Sequence, residues 1–141
     1  MKEITVQDFF EAKKKDLALS LITEPETLNK KLVSPHVNRP GLALAGYLEV
    51  FSSERVQVFG ETEVRFLQSR NEDELISCIR DMFKTDIPCI IVSKGLTLPP
   101  VIEHMANDLN IALLSSRLST INLIEHLSRY LHDVFALEKT I

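Results

Sequence analysis

Two glycines separated by four residues give residues 41–48, GLALAGYL, the opening spacing of a phosphate-binding loop. Such a loop needs a lysine that reaches the β- and γ-phosphates and a hydroxyl that holds Mg²⁺, but Tyr47 and Leu48 occupy those two positions. Neither side chain can do this chemistry. Because Asn38 is a good helix cap and Pro40 is tolerated in a first helical turn, we interpret the stretch as a helix start followed by closely packed small residues.

A second candidate for anion binding is the pair Lys94 and Gly95, which follows the apolar run PCIIV. A lysine and a glycine at the end of a buried strand could hold an anion, although a strand-ending turn with a solvated lysine is the simpler interpretation. Together with Arg39 and Tyr47, these two residues are our candidates for interaction or anion binding.

The other side chains with catalytic potential form no recognised constellation. The four histidines are His36, His104, His126 and His132. They lie far apart in sequence or at a spacing that places them on different helical faces, so they form no HExxH-type pair for zinc. Cys78 and Cys89 match neither a redox nor a zinc spacing, which favours buried free thiols in a reducing compartment. No serine lies in a G-x-S-x-G motif. We therefore predict no catalytic residue, no bound cofactor and no metal in this chain.

Composition limits the class of protein further. The chain has 141 residues, 45% hydrophobic and 26% charged, which suits one globular domain. Its formal net charge of −4 is spread along the sequence without a basic stripe, so nucleic acid is not an expected partner. The N-terminus lacks an apolar segment and no run approaches the ~18 apolar residues of a membrane span, which predicts a cytoplasmic protein.

Alternating strand and helix patterns must position these residues. Strands are predicted at 16–22, 54–60, 88–95 and 111–116, with a short edge strand at 31–37, because apolar residues alternate or run together there. Capping signals at Thr5 with Asp8, at Asn71 with Glu74 and at Ser119 begin three helices, and further helices are predicted at 61–67 and 98–110. The pattern predicts an α/β three-layer domain with a mostly parallel sheet and helices on both faces. Ligands of such sheets bind at the carboxyl ends of the strands, here near residues 60, 93–96 and 115–118.

A family resemblance adds to this interpretation. Residues 38–67, NRPGLALAGYLEVFSSERVQVFGETEVRFL, resemble the hallmark of the N-terminal domain of bacterial HPr serine kinase/phosphorylase, which contains RPGLELAGY, ERIQ and G.TE..FL in that order. Residues 87–102, IPCIIVSKGLTLPPVI, resemble the family's P.IIVSRGL.PP segment, and residues 118–141 resemble its closing helix. The hallmark positions that carry over have no established chemical role, and they are Arg39, Pro40, Gly41, Leu42, Ala45, Gly46 and Tyr47.

The resemblance implies a two-domain parent enzyme that uses ATP to phosphorylate a serine of HPr, the phosphocarrier of the sugar phosphotransferase system, and can remove that phosphate. In this family ATP, Mg²⁺ and the catalytic residues belong to a C-terminal P-loop domain, which the family's chain enters after a pair like Thr140 and Ile141. We therefore expect residues 1–141 to be the N-terminal domain alone, excised or naturally solitary. The family's domain also resembles in fold the first domain of the Mur ligases.

Three functional hypotheses follow. The leading one is a regulatory and assembly domain, inactive by itself, whose partners are its own C-terminal kinase domain, other subunits of a family hexamer and, through the parent, HPr. The second is an anionic small-molecule or nucleotide sensor that uses Lys94, Gly95 and Arg39, and the third is a solitary module that docks to a partner kinase. We also expect Arg39→Ala to leave the fold intact, and a bulky residue at Gly46 to disturb close packing.

Overall fold

One five-stranded sheet organises the chain in the computed structural model, which describes residues 3–46, 48 and 51–139, without the side chains of Leu42 and residues 137–139. The strands are β1 (Leu19–Leu21), β2 (Val37–Asn38), β3 (Val56–Phe59), β4 (Cys89–Val92) and β5 (Ala112–Ser116). Their order is β1-β5-β4-β3-β2, in which β2 to β5 are parallel and β1 pairs antiparallel with β5. The predicted mostly parallel sheet is confirmed.

Helices cover both faces of this sheet. On one face lie α2 (Gly41–Leu44), α3 (Glu61–Gln68), α4 (Glu72–Phe83) and α5 (Pro100–Asp108). On the other lie α1 (Val6–Lys13), a 3₁₀ helix (Pro25–Asn29) and α6 (Thr120–Lys139). Strands β2 to β5 are added in one direction across the sheet, so right-handed crossovers bring all the connecting helices to the same face. The three-layer prediction is confirmed.

Strand β4 shows why the core has two halves. Cys89 and Ile91 face the α1 and α6 layer, whereas Ile90 and Val92 face the layer of α2 to α5, and all four are fully buried. A strand buried on both faces needs a continuous apolar run, because successive side chains point to opposite faces. Full burial of an aliphatic side chain stabilises a fold by about 1.5–3 kcal/mol, which makes β4 the centre of the core.

Three of the helices begin as predicted. Thr5 and Asp8 form a reciprocal capping box at α1, and Asn71 and Glu74 form another at α4. Ser119 Oγ accepts a hydrogen bond of 3.2 Å from the backbone N–H of Asn122 at the start of α6. Each cap satisfies N–H groups that the first helical turn leaves unpaired.

The segment around β2 differs from the expectation. The strand is only Val37–Asn38 rather than 31–37, because Pro35 cannot donate to a strand ladder. Asn38 is not a helix cap, since it belongs to β2 and its side chain donates to Gln57 Oε1 at 2.8 Å. Helix α2 has no side-chain cap and is four residues long. It is followed by Gly46, whose φ of +105° is in the region that favours glycine.

The two cysteines are free thiols, as predicted, but only one is fully buried. Cys89 lies in the sheet, where burial raises the pKa of its thiol to about 12. Cys78 is half-buried on α4. Within the described part of the chain, no helix combines the length and the apolarity that crossing a membrane requires.

Candidate functional site

The carboxyl ends of the parallel strands meet at one edge of the sheet, where Arg39 follows β2, Gly60 follows β3 and Lys94 lies just beyond β4. The first turn of α3 begins directly after Gly60 and brings two acidic residues, Glu61 and Glu63, to the same edge. The hallmark residues and the anion-binding candidates are therefore neighbours of one short helix.

Arg39, Gly60 and Glu63 form a connected group that we call the hallmark clasp. Glu63 Oε1 accepts from Arg39 Nη2 at 2.5 Å and from the Gly60 backbone N–H at 2.9 Å. The Glu63 side chain is only 4% exposed, whereas that of Arg39 is 42% exposed. The bond to Gly60 is one half of a capping box, because glycine has no side chain to return it. The clasp joins the segment after β2 to the start of α3.

Gly60 is required by close approach. A Cβ atom built on Gly60 would overlap the Arg39 guanidinium, whose Cζ would be 3.1 Å away, and would lie 3.1 Å from Thr120 Cγ2. The same Cβ on Gly41 would meet nothing nearer than Glu63 Oε2 at 4.0 Å. Gly60 is therefore the glycine whose missing side chain lets the arginine reach its carboxylate.

Lys94 is bound by a second ionic group. Its Nζ donates to Glu61 Oε2 at 2.9 Å, and Glu61 also pairs with Arg65 one helical turn later. The hydrogen bond from Lys94, followed by the positive charge of Arg65, lowers the pKa of the Glu61 carboxyl. Both partners of Glu61 are partly exposed, with side-chain exposures of 47% for Lys94 and 75% for Arg65.

The backbone of Lys94 and Gly95 makes a left-handed turn with φ values of +61° and +63°. The Lys94 N–H donates to Leu118 O and the Gly95 N–H to Ser116 O, both at 2.8 Å. These bonds attach the turn after β4 to the end of β5. The two amides that could have faced an anion are thus already used within the fold.

Two hydroxyls connect the same edge to α6. Ser93 is fully buried, and its Oγ lies 2.6 Å from Thr120 Oγ1, a distance at which one donates to the other. The Ser93 N–H donates to Phe59 O at 3.0 Å. Strands β3 and β4 and the start of α6 are therefore held in one hydrogen-bonded group beside Gly60.

A cavity of about 280 Å³ borders Gly95. Its walls combine apolar side chains, including Ile22, Leu96 and Leu113, with the carboxylate of Glu103. None of the described residues that line this cavity is basic, so they offer no charge complement to an anion.

The predicted site residues are thus only partly brought together. Arg39 and Lys94 both lie beside α3, but each binds a different glutamate, and Tyr47 lies outside the described residues. Sequence reasoning missed Glu61 and Glu63 as the partners. A signal was present, since Arg39, Gly60 and Glu63 all belong to the quoted hallmark, but a sequence motif does not say which of its residues touch.

Two histidines that are far apart in sequence lie close together in the fold. His36, just before β2, and His132, on α6, have ring centroids 5.6 Å apart with an interplanar angle of 74°. Their separation in sequence concealed this contact. Among residues 3–46, 48 and 51–139, no group of three or more His, Cys, Asp or Glu side chains is placed to hold a metal ion.

Comparison with known proteins decides the family. The family model described as HPr Serine kinase N terminus matches residues 4–131. The chain belongs to this family. As an HPr kinase N-terminal domain, it contains the Arg39–Glu63 pair and Gly60 inside the matched range.

Curated relatives agree with this assignment. The domain is 36% identical over 115 residues to the HPr kinase/phosphorylase of Streptococcus equi subsp. zooepidemicus, covering 82% of this chain and 37% of that protein. It is 34% identical over 137 residues to the HPr kinase/phosphorylase of Streptococcus uberis, covering 97% of this chain and 43% of that protein. The chain thus spans about two fifths of the length of these relatives.

A solved structure shares the fold. The CBS and DRTGG domains of the regulatory region of Clostridium perfringens pyrophosphatase, complexed with the activator diadenosine tetraphosphate, match with a TM-score of 0.59. The match covers 84% of this chain and 45% of that one at 14% identity, so it concerns the fold alone.

Proposed function

We propose that this chain is the non-catalytic regulatory and assembly domain of an HPr kinase/phosphorylase, the bifunctional ATP-dependent enzyme that acts on a serine of HPr. The observation that carries the proposal is the family match over residues 4–131. ATP, Mg²⁺ and HPr would bind the remainder of the parent enzyme, which would hold the P-loop and the catalytic groups, whereas this domain would contribute subunit contacts to the hexameric assembly.

The contacts of the hallmark residues Arg39, Gly60 and Glu63 support a structural role and not a catalytic one. The Arg39 guanidinium and the Glu63 carboxylate neutralise each other, and the remaining hydrogen bond of Glu63 Oε1 goes to Gly60. A catalytic acid, a catalytic base or an anion-binding group needs a hydrogen-bond donor or acceptor that is directed at the substrate. In the clasp Glu63 Oε1 is directed at Arg39 and at the Gly60 N–H, and these two bonds fix the start of α3.

Helix α6 is the element best suited to transmit orientation. Its N-terminus is tied to the clasp edge through Thr120, and its first three turns are anchored by Leu123, Leu127 and Leu131, which are fully buried. Its 20 residues make a rigid rod about 30 Å long. In the proposed parent, this rod would set the direction in which the kinase domain leaves the N-terminal domain.

Two experiments test the proposal together. Purified residues 1–141 are incubated with ATP, Mg²⁺ and HPr, and phosphoserine is measured by mass spectrometry, with the full-length Streptococcus uberis relative as positive control. We expect no transfer by the domain. The second experiment removes from the relative the segment that matches this chain, and we expect HPr phosphorylation to persist while the sedimentation coefficient indicates a smaller assembly.

Either of two results would contradict the proposal. Phosphate transfer by the isolated domain would make it catalytic. A truncated relative that keeps its number of subunits and responds to metabolites as the full-length enzyme does would remove the assembly and regulatory roles.

The anion-sensor hypothesis has weaker support. Lys94 is paired with Glu61, the amides of Lys94 and Gly95 are bonded within the fold, and the cavity beside Gly95 carries an acidic wall. An anion would have to displace Glu61 from Lys94 before binding. A thermal-shift screen with phosphorylated sugars and nucleotides tests this alternative, because a ligand that binds only the folded state raises the melting temperature.

A further inference from the structure

His36 and His132 are the one pair of described imidazoles that the structure records in ring contact, with centroids 5.6 Å apart. His36 lies in the loop before β2 and His132 lies about two turns before the end of α6, so two separate elements present the rings. Both residues are exposed.

The hydrogen bond of His132 fixes which nitrogen is free. Its Nδ1 lies 2.8 Å from the backbone oxygen of Ser128. A carbonyl oxygen only accepts, so Nδ1 carries the proton and donates. In the neutral ring the lone pair is then on Nε2. A ring N–H donated to a backbone carbonyl is the arrangement that orients a histidine as a metal ligand.

The separation of the rings fits two ligands of one ion. With a metal–nitrogen bond of about 2.1 Å, the centroid of each imidazole lies about 3.2 Å from the metal. Two such ligands that subtend about 110–120° at the metal have centroids about 5.2–5.6 Å apart. The observed 5.6 Å lies at the upper end of this range. An interplanar angle of 74° is compatible, since each ring can rotate about its metal–nitrogen bond.

We propose that His36 and His132 form a two-imidazole binding site for a divalent transition metal ion of the Zn²⁺, Ni²⁺ or Cu²⁺ class, which imidazole ligands favour. Water completes the coordination, because no group of three or more protein ligands occurs among residues 3–46, 48 and 51–139. The ion exchanges readily and is not a structural zinc. By linking the loop before β2 to α6, the ion fastens this helix to the edge strand.

Isothermal titration calorimetry of residues 1–141 with ZnCl₂ tests the site, with sedimentation velocity run in parallel. We expect one Zn²⁺ per chain without a change in sedimentation. Either His36→Ala or His132→Ala lowers the association constant at least about tenfold, since loss of a ligand costs no less than loss of an outer-shell partner. The matched controls His104→Ala and His126→Ala remove imidazoles that are also exposed and leave binding unchanged.

Nitrogen-15 NMR of the histidine side chains gives an independent readout on the unmodified chain. We expect Zn²⁺ to shift Nε2 of His132 and one nitrogen of His36, while Nδ1 of His132 stays protonated. The proposal is overturned if no Zn²⁺ binds, if binding persists in the His36→Ala, His132→Ala double variant, or if one ion is bound per two chains.

Discussion

Arg39→Ala should destabilise the domain by about 2 kcal/mol, in contrast to the expectation from sequence that the fold would tolerate it. The substitution leaves the carboxylate of Glu63, which is 4% exposed, with the Gly60 N–H as its recorded donor. Breaking a buried ion pair from one side costs about 3–5 kcal/mol, whereas an exposed pair is worth about 0–1 kcal/mol. Arg39 is itself 42% exposed, so water can partly replace it, and the expected loss lies between these limits.

Urea unfolding followed by circular dichroism measures this loss. The matched control is Arg65→Ala, which removes an arginine that also pairs with a glutamate but whose side chain is 75% exposed. We expect a change of less than about 1 kcal/mol in the control. In a domain of this size, the loss in Arg39→Ala should lower the melting temperature by roughly 5–10 °C.

A double-mutant cycle separates the ion pair from other effects of the substitution. Glu63→Gln keeps an oxygen that can accept from Gly60 and removes the buried charge, so the variant lacking both Arg39 and the Glu63 charge should be more stable than the sum of the single losses predicts. We expect a coupling energy of about 1–2 kcal/mol. Equal stability of Arg39→Ala and Arg65→Ala, or a coupling energy near zero, would refute the buried clasp.

Four other predictions follow from single residues. Gly60→Ala should cost about 1–3 kcal/mol in urea unfolding, because its Cβ overlaps the guanidinium above it. Gly46→Ala should lower the free energy of unfolding by about 1–2 kcal/mol, because the φ of +105° favours glycine. A Cβ atom at this position would have no neighbour within 4 Å, so the loss comes from the backbone and Gly46→Asn should lose less. Equal losses in the two variants would count against a backbone origin. Cys89, with a thiol pKa of about 12, should resist iodoacetamide at pH 8 until the domain unfolds, as mass spectrometry would show. Lys94→Ala should raise the pKa of Glu61 toward 4.5 in a carboxyl NMR titration, because the hydrogen bond from Lys94 is the largest cause of the lowered pKa; an unchanged titration would contradict the pairing.

Sequence reasoning recovered the elements whose signals are local. The capping boxes at Thr5 and Asn71 satisfy backbone groups within one helical turn, and the apolar run before Ser93 indicates a strand buried on both faces. These features depend on neighbours in sequence. The prediction for residues 31–38 was less accurate, because the position of β2 is set by its partner Val56 rather than by its own pattern.

The candidate site depends instead on contacts between distant segments. Arg39 meets Glu63 only because β2 and β3 are adjacent and parallel, and Lys94 meets Glu61 only because β4 lies next to β3. His36 and His132 meet because α6 crosses near β2. Strand order is not encoded in the spacing of residues, so these pairs could be named as candidates but not matched to partners from one sequence.

The two glycines that suggest a phosphate loop have separate tasks in the fold. A phosphate cradle needs several successive backbone N–H groups directed at a ligand. Here the N–H groups of Leu44, Ala45 and Gly46 donate to the oxygens of Pro40, Gly41 and Ala43, respectively, so the stretch is one closed helical turn. Gly46 follows that turn with a positive φ. A Cβ atom built on Gly41 would lie 4.0 Å from Glu63 Oε2, in the carboxylate of the clasp. The spacing of the glycines therefore results from a short helix beside the clasp, and the N–H groups of Leu44, Ala45 and Gly46 are bonded to that helical turn instead of being directed at a ligand.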